Sequence, residues 1–278
     1  MIIDGKLVAK SVKDELREKI NRNNIKAKLV VILVGSNDAS KVYVRNKVRA
    51  CEYVGIESEV IKLDEDITEK ELILNIEKLN ADNSVTGILV QLPLPSHINE
   101  INIINAISYK KDVDGFHPIN LGKMITNQEC SLPCTPKGIV RLLDYYNIDV
   151  SGKNITVLGR SNIVGKPIAN ILVNMGATVS ILNSKTKNLY EYTQKSDIII
   201  SAIGKPKYIN NEYLKNCKVV VDVGINRDEY GKLCGDVDFD TVKDKVDFIT
   251  PVPGGVGPMT IAMLLENCIE LKEKYGTI

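Results

Sequence analysis

Along the 278-residue chain, hydrophobic and polar positions follow two periods in alternation. Continuous β-branched apolar runs ended by turn residues predict buried strands. Stretches with apolar residues three and four apart predict amphipathic helices. On this basis residues 6–22 predict a helix, KLVVILVG (28–35) a buried strand, and 40–54 a helix stopped by Gly55. ESEVIKL (57–63) predicts a strand, 68–80 a helix capped by Thr68, VTGILVQ (85–91) a strand broken by Pro93 and Pro95, and 99–108 a helix. KDVDGFHPIN (111–120) is rich in turn residues and reads as a loop. Thr135 followed by Pro136 predicts a cap and first position for a helix over 136–146. The alternation then restarts with NITVLG (154–159), a helix at 163–175, ATVSIL (177–182), DIIISAIG (197–204) and KVVVDVG (218–224). A Gly/Pro loop and a helix from Met259 to Lys274 close the chain.

Strand–helix alternation of this kind predicts an α/β fold, with parallel sheet covered by helices on both faces. At this length two cores are favoured over one, and the turn-rich interruption places a boundary near 117–121. The expected domains are therefore 1–118 and 119–278. No internal repeat or low-complexity segment interrupts them.

Composition removes several function classes. The 36 Lys and Arg residues nearly cancel the 35 Asp and Glu, so no global field attracts nucleic acid or an anionic membrane. No basic run carries interleaved aromatics, which argues against a dedicated nucleic-acid role. The longest apolar run, Leu29 to Val34, is too short to span a bilayer, and MIIDGKLVAK lacks the pattern of a signal peptide. The chain reads as cytoplasmic. Its six cysteines form no C-x-x-C pair and only His97 and His117 accompany them, so no metal site is expected and the thiols read as core fillers.

The segment NITVLGRSNIVGKPIANIL reads as strand, Gly/Ser turn and helix. Such a turn can bring backbone N–H groups and a helix N-terminus to a diphosphate. The regular G-x-G-x-x-G spacing is absent, and a βα turn with glycines also serves purely structural ends. About 20 positions on, NAD sites carry an acid for the ribose hydroxyl. Here that strand ends in Asn183-Ser184-Lys185. Arg160 and Lys185 can instead meet a 2′-phosphate, which favours NADP over NAD; the alternative is that both are solvated surface cations.

The helix at 40–54 carries the sharpest local signal. At about 100° per residue, Tyr43, Val44, Val48, Ala50, Cys51 and Val54 share one apolar face, with Lys41, Arg45, Arg49 and Glu52 opposite. Lys47 falls near the middle of the apolar face, one turn after Tyr43. Two readings stand. The lysine snorkels to water, or it is a desolvated ammonium suited to proton transfer. Gln91, at a strand end where open parallel sheets bind ligands, and Asp114 are the polar groups that could share its site. The alternatives are a surface amide for Gln91 and, for Asp114, a turn carboxylate bonding its own backbone.

These residues lie in stretches that resemble the FolD-type methylenetetrahydrofolate dehydrogenase/cyclohydrolases along nearly the whole chain. The matching stretches are SKVYVRNK (40–47), GILVQLPLP (87–95), KDVDGFHP (111–118), PCTPKG (133–138), GRSNIVGKP (159–167), DVGIN (222–226) and PVPGGVGPMT (251–260). The resemblance implies an N-terminal folate-binding catalytic domain, a Rossmann-type NADP domain, and a cleft between them as active site. It implies that the helix at 259–278 packs back near the N-terminal domain. Lys47 matches the catalytic lysine, Tyr43 its neighbour over the rings, Gln91 the partner of the lysine and Asp114 the carboxylate that holds the pterin. Gly159, Arg160, Ser161, Ser184 and Ile225 match NADP contacts, and Gly255 and Pro258 lie in the loop matching a wall of the substrate cleft. Two departures are visible: NDAS (37–40) lacks a proline common before the Ala, and Asn183 stands where His is common.

The implied activity is NADP-dependent oxidation of 5,10-methylenetetrahydrofolate to the methenyl form, then hydrolysis to 10-formyltetrahydrofolate, without a metal. A homodimer formed through the cofactor domain, by strands and helices beyond residue 160, is implied as well. The competing readings are a monofunctional dehydrogenase and a silent NADP- or folate-binding module. The intact Tyr43, Lys47, Gln91 and Asp114 set argues against the second more strongly than against the first.

Overall fold

A computed structural model describes residues 1–276; the last two positions of the helix expected over 259–278 lie outside the described residues. By contact the chain forms two compact units, Met1–Ala9 with Met124–Gln128 and Thr135–Thr260, and Lys10–Lys123 with Glu129–Cys134 and Ile261–Ile278. The sequence reading draws a single boundary near 117–121, whereas the units interleave because the first and last long helices each contribute to both. In α1 (Gly5–Asn23), Lys6 N–H donates to Gly254 O at 3.1 Å within one unit, and Lys19 Nζ reaches Glu273 at 2.8 Å within the other. The last helix, α10 (Val256–Tyr275), begins three residues before the expected Met259.

The unit built mainly from residues 10–123 holds a three-stranded sheet of β1 (Lys28–Val34), β2 (Glu57–Leu63) and β3 (Gly87–Val90), in the order β2-β1-β3 and parallel throughout. The unbroken apolar run of β1 follows from burial on both sides. Val30, Ile32 and Val34 pack on Leu72 and Ile76 of α3 (Glu69–Ala81) and on Ile103 of α4 (Glu100–Ala106), while Leu29, Val31 and Leu33 are buried on the opposite face. Thr68 caps α3 in a reciprocal capping box with Glu71, as its sequence predicts. Helix α2 (Asp38–Val54) starts two residues before the expected Ser40, because the Asn37 side chain accepts from Ser40 N–H at 3.0 Å. It ends at Gly55, whose φ of 92° is left-handed. The stretch read as a loop turns helical sooner than expected, as α5 (Pro118–Ile125) with Pro at its first position.

The second unit carries a separate five-stranded parallel sheet, so the described residues form two parallel sheets. Its strands are β4 (Asn154–Leu158), β5 (Thr178–Leu182), β6 (Ile198–Ser201), β7 (Val219–Asp222) and β10 (Phe248–Ile249), in the order β10-β7-β6-β4-β5. Strand order reverses at β4, so the crevice at the C-terminal ends of β4 and β6 is a topological switch point, where doubly wound sheets bind ligands. Helix α7 (Gly165–Asn174) matches the expected one, and α6 (Cys134–Tyr145) begins two residues before the expected Pro136, so Thr135 lies inside the helix and is not its cap. The short α8 (Leu189–Thr193), α9 (Phe239–Val242) and the antiparallel pair β8 (Asn226–Arg227) and β9 (Leu233–Cys234) carry no clear period in sequence.

Two buried carboxylates hold the segments that flank β8 and β9. Asp222 accepts from Gly224, Asp236 and Val237 N–H at 3.0, 3.0 and 2.9 Å. Asp236 accepts from Ile203 and Lys205 N–H at 2.7 and 2.9 Å, from Ser201 Oγ at 3.1 Å and from Asn226 Nδ2 at 2.9 Å. Burial pushes the Asp222 carboxyl up to about 7 against the pull of those N–H donors. A Cβ at Gly235 would sit 1.8 Å from the Asp222 carboxylate, so only glycine fits there.

Candidate active site

The half-buried Lys47 lies on α2 where the buried side of the helix gives out. Val44, Ala50, Cys51 and Val54 are buried, but Tyr43, which the helical period groups with them, is 45% exposed. Lys47 Nζ donates to Gln91 Oε1 at 3.0 Å. Gln91 follows β3 and its N–H donates to Ile32 O at 2.9 Å, which fixes its backbone on the sheet. Its Nε2 donates to Leu92 O at 2.7 Å, so the amide oxygen is left to face the lysine. A glutamate there would lose that anchor, whereas the amide both holds its own orientation and accepts from the lysine.

The loop after α4 brings Asp114 to the same charge. Of the two aspartates in KDVDGFHP, Asp112 is the turn carboxylate: it is buried and accepts from Gly115 N–H at 3.0 Å, His117 N–H at 2.8 Å and Asn120 Nδ2 at 2.9 Å. Gly115 has φ of 74°, and a Cβ there would meet Leu132 C at 2.4 Å. Asp114 accepts no backbone N–H of this turn. Burial pushes its carboxyl up to about 6, with the Lys47 charge pulling down and the Asp112 charge pushing up. The residue between the two aspartates is clamped: Val113 O accepts from Asn267 Nδ2 at 2.8 Å and from Cys134 Sγ at 3.3 Å, and the same thiol lies 3.9 Å from Asp114 Oδ1. Asp112, Cys134 and Asn267 are the supporting residues that sequence reasoning missed. The doubled Asp of KDVD was the available signal; nothing in sequence marks Asn267.

In the other unit, Gly159 ends β4 with φ of 118°, and a Cβ on it would meet Ala202 O at 2.3 Å. A Cβ on Gly165 would meet Gly159 O at 2.2 Å, so both glycines let the β4–α7 turn pass close to its neighbours. Ser161 Oγ accepts from Val164 and Gly165 N–H at 3.1 and 3.3 Å and so caps the turn. Beyond the ends of β4, β5 and β6 opens a cavity of about 370 Å³, lined among others by Gly159, Arg160 and Ser184. Lys185, the second cation considered for a phosphate, does not line it. Asn183 shapes the local turn, accepting from Lys185 N–H at 3.0 Å. Ile225 is 56% exposed between β7 and β8. Gly255 is buried in the loop before α10 and donates to Pro251 O at 2.8 Å, while Pro258 stands in the first turn of α10. The structure thus groups Lys47, Gln91 and Asp114, with Tyr43 one turn away, and groups Gly159, Arg160 and Ser184 around one cavity. Among the described residues, no group of three or more His, Cys, Asp or Glu could hold a metal, and no helix is long and apolar enough to cross a membrane.

Two family models match the chain. Residues 3–114 match the tetrahydrofolate dehydrogenase/cyclohydrolase catalytic domain, and residues 133–275 the NAD(P)-binding domain of the same family. The bifunctional protein FolD of Agathobacter rectalis is 54% identical over 98% of this chain and 99% of its own. The crystal structure of the bifunctional FolD methylenetetrahydrofolate dehydrogenase/cyclohydrolase of Campylobacter jejuni aligns with TM-score 0.95 at 50% identity, covering 99% of each chain. The Trypanosoma brucei methylenetetrahydrofolate dehydrogenase-cyclohydrolase, solved with NADP and an inhibitor, aligns with TM-score 0.92 at 34% identity, covering 99% of this chain and 97% of its own.

Proposed function

The chain belongs to the tetrahydrofolate dehydrogenase/cyclohydrolase family, and from that premise we infer what its residues do. It is a bifunctional one-carbon folate enzyme: it oxidises 5,10-methylenetetrahydrofolate to the methenyl form with NADP and hydrolyses the methenyl form to 10-formyltetrahydrofolate. We assign folate handling and catalysis to residues 1–118 and NADP binding to 119–278.

The turn and cavity at the end of β4 suit NADP: two glycines whose Cβ positions are filled by backbone, a cation in Arg160, a hydroxyl in Ser184, and no carboxylate among the lining residues. When bound, NADP accepts the hydride that leaves the methylene bridge. Gly159, Arg160, Ser161, Ser184 and Ile225 hold and orient it. Asp114 accepts N–H donors of the pterin, Tyr43 lies along the folate rings, and Gly255 and Pro258 also belong to the substrate-binding set. The observation that carries the catalytic reading is the 3.0 Å bond from Lys47 to Gln91. Hydrolysis requires a proton to leave the attacking water and one to reach the departing ring nitrogen. Lys47 is the group that moves them, and Gln91 holds it in place.

The test is incubation of the purified chain with methylenetetrahydrofolate and NADP, following methenyl and formyl products separately. Both should form faster than in buffer. NADP reduction with methenyl product hydrolysed only at the buffer rate would establish a monofunctional dehydrogenase; no reduction would establish a silent binding module. We further propose a homodimer, formed through strands and helices beyond residue 160, working in the cytoplasm without nucleic acid or membrane as partner.

A further inference from the structure

Three strand ends border the cavity of the second unit, and the residues assigned to NADP so far lie at only two of them. Arg160 follows β4 and Ser184 follows β5; the third side, after β6, is lined by Ile203, Lys205 and Tyr208. We propose that Lys205 is a specificity-determining residue for NADP, a second cation for the phosphate on the adenosine ribose. This rests on the reading of the cavity as the NADP site.

The lysine is placed by a fixed frame. Its N–H donates to Asp236 Oδ1 at 2.9 Å, and Asp236 is wholly buried and also holds Ile203 N–H at 2.7 Å. Ile209 N–H donates to Asp236 O at 2.9 Å, which closes the loop on its other side. The Lys205 ammonium stands 4.9 Å from the centre of the Tyr208 ring. Tyr208 in turn lies against the buried Tyr213, at 5.9 Å between ring centres, and Tyr213 stacks on Tyr190 at 4.5 Å. A flexible amine is thereby tethered to an aromatic wall that the core supports.

The charge pattern names the ligand. Arg160 and Lys205 both line the cavity, while no Asp or Glu does. Among the described residues no carboxylate lies within ion-pair distance of either cation. Two like charges around one cavity repel each other until an anion enters between them. The volume of about 370 Å³ lies in the range of small-molecule sites. A nucleotide with a phosphate monoester on the 2′ oxygen of its ribose supplies the anion, and one that carries only the 5′ phosphate does not.

The full-length parent and Lys205→Gln are titrated calorimetrically with 2′,5′-ADP and with 5′-AMP. The parent should bind 2′,5′-ADP more tightly. Lys205→Gln should lose about tenfold for 2′,5′-ADP, the low end for one charge-assisted bond at an exposed site, and under about twofold for 5′-AMP. Lys205→Arg should retain most of the affinity, and the loss should shrink as salt is raised. Equal losses for both ligands, or none, would overturn the assignment to Lys205. A parent that does not distinguish the two ligands would overturn the NADP reading itself.

Discussion

Replacing Asp114 by Asn removes one charge and keeps the shape, which makes its cost and its use separable. Burial raises the carboxyl from 3.8 to about 6, a shift worth on the order of 3 kcal/mol at about 1.4 kcal/mol per unit. Because the folded-state value is the higher one, the proton favours the folded state. That stability is fully present below pH 3.8 and is lost as pH rises through about 6. Above about pH 7 the parent carries the whole desolvation penalty of this half-buried carboxylate, and the amide variant would carry none. Asp114→Asn should therefore gain stability relative to the parent between about pH 4 and about pH 7.5, by up to about 3 kcal/mol. Thermal unfolding followed by circular dichroism across that range measures it. The same variant should bind folate about 10–100-fold more weakly, the loss of a charge-assisted contact, and bind NADP as before. Parallel pH profiles for the two proteins, together with unchanged folate affinity, would refute the reasoning and make Asp114 an ordinary loop residue.

Two further outcomes follow from the second unit. Arg160→Ala should reduce kcat/KM with NADP by about 10–100-fold and leave that with NAD nearly unchanged, as expected for a charge-assisted phosphate contact; steady-state kinetics with both cofactors check it, and a parent that uses NAD as well as NADP contradicts it. Light scattering at micromolar concentration should give the mass of two chains, and a mass of 30.8 kDa would count against the dimer.

What is legible in the sequence is what depends on local pattern. The β1 run and the Thr68 cap predict their elements closely, and the lysine at 47 interrupts an apolar period where the structure places it against Gln91. The helical period misleads at Tyr43, because periodicity gives direction around a helix and not how far along it the core extends. It groups Tyr43 with buried residues, yet that side chain is 45% exposed. Asp112 and Asp114 are indistinguishable by type, and only the closed turn shows which one binds backbone. Helix α5 is hidden by turn-forming residues whose Pro118 also suits a first helical position. The β8–β9 pair has two residues per strand, too few for any period. It is held by Asp222 and Asp236, whose partners, apart from the neighbouring Gly224, come from 10 to 35 positions away.

The central claim is that Lys47 carries protons in the hydrolytic step, and Lys47→Met tests it most directly. Met keeps the length and apolar stem of lysine, so the variant should fold and bind NADP like the parent, since such swaps cost under about 1.5 kcal/mol. The measurement is hydrolysis of methenyltetrahydrofolate, corrected for the spontaneous reaction in buffer. General acid–base groups contribute about 10²–10⁴ in rate, so cyclohydrolase activity should fall at least a hundredfold. Retention of more than about a tenth of the parental rate, well above what that magnitude allows, would contradict the role given to Lys47.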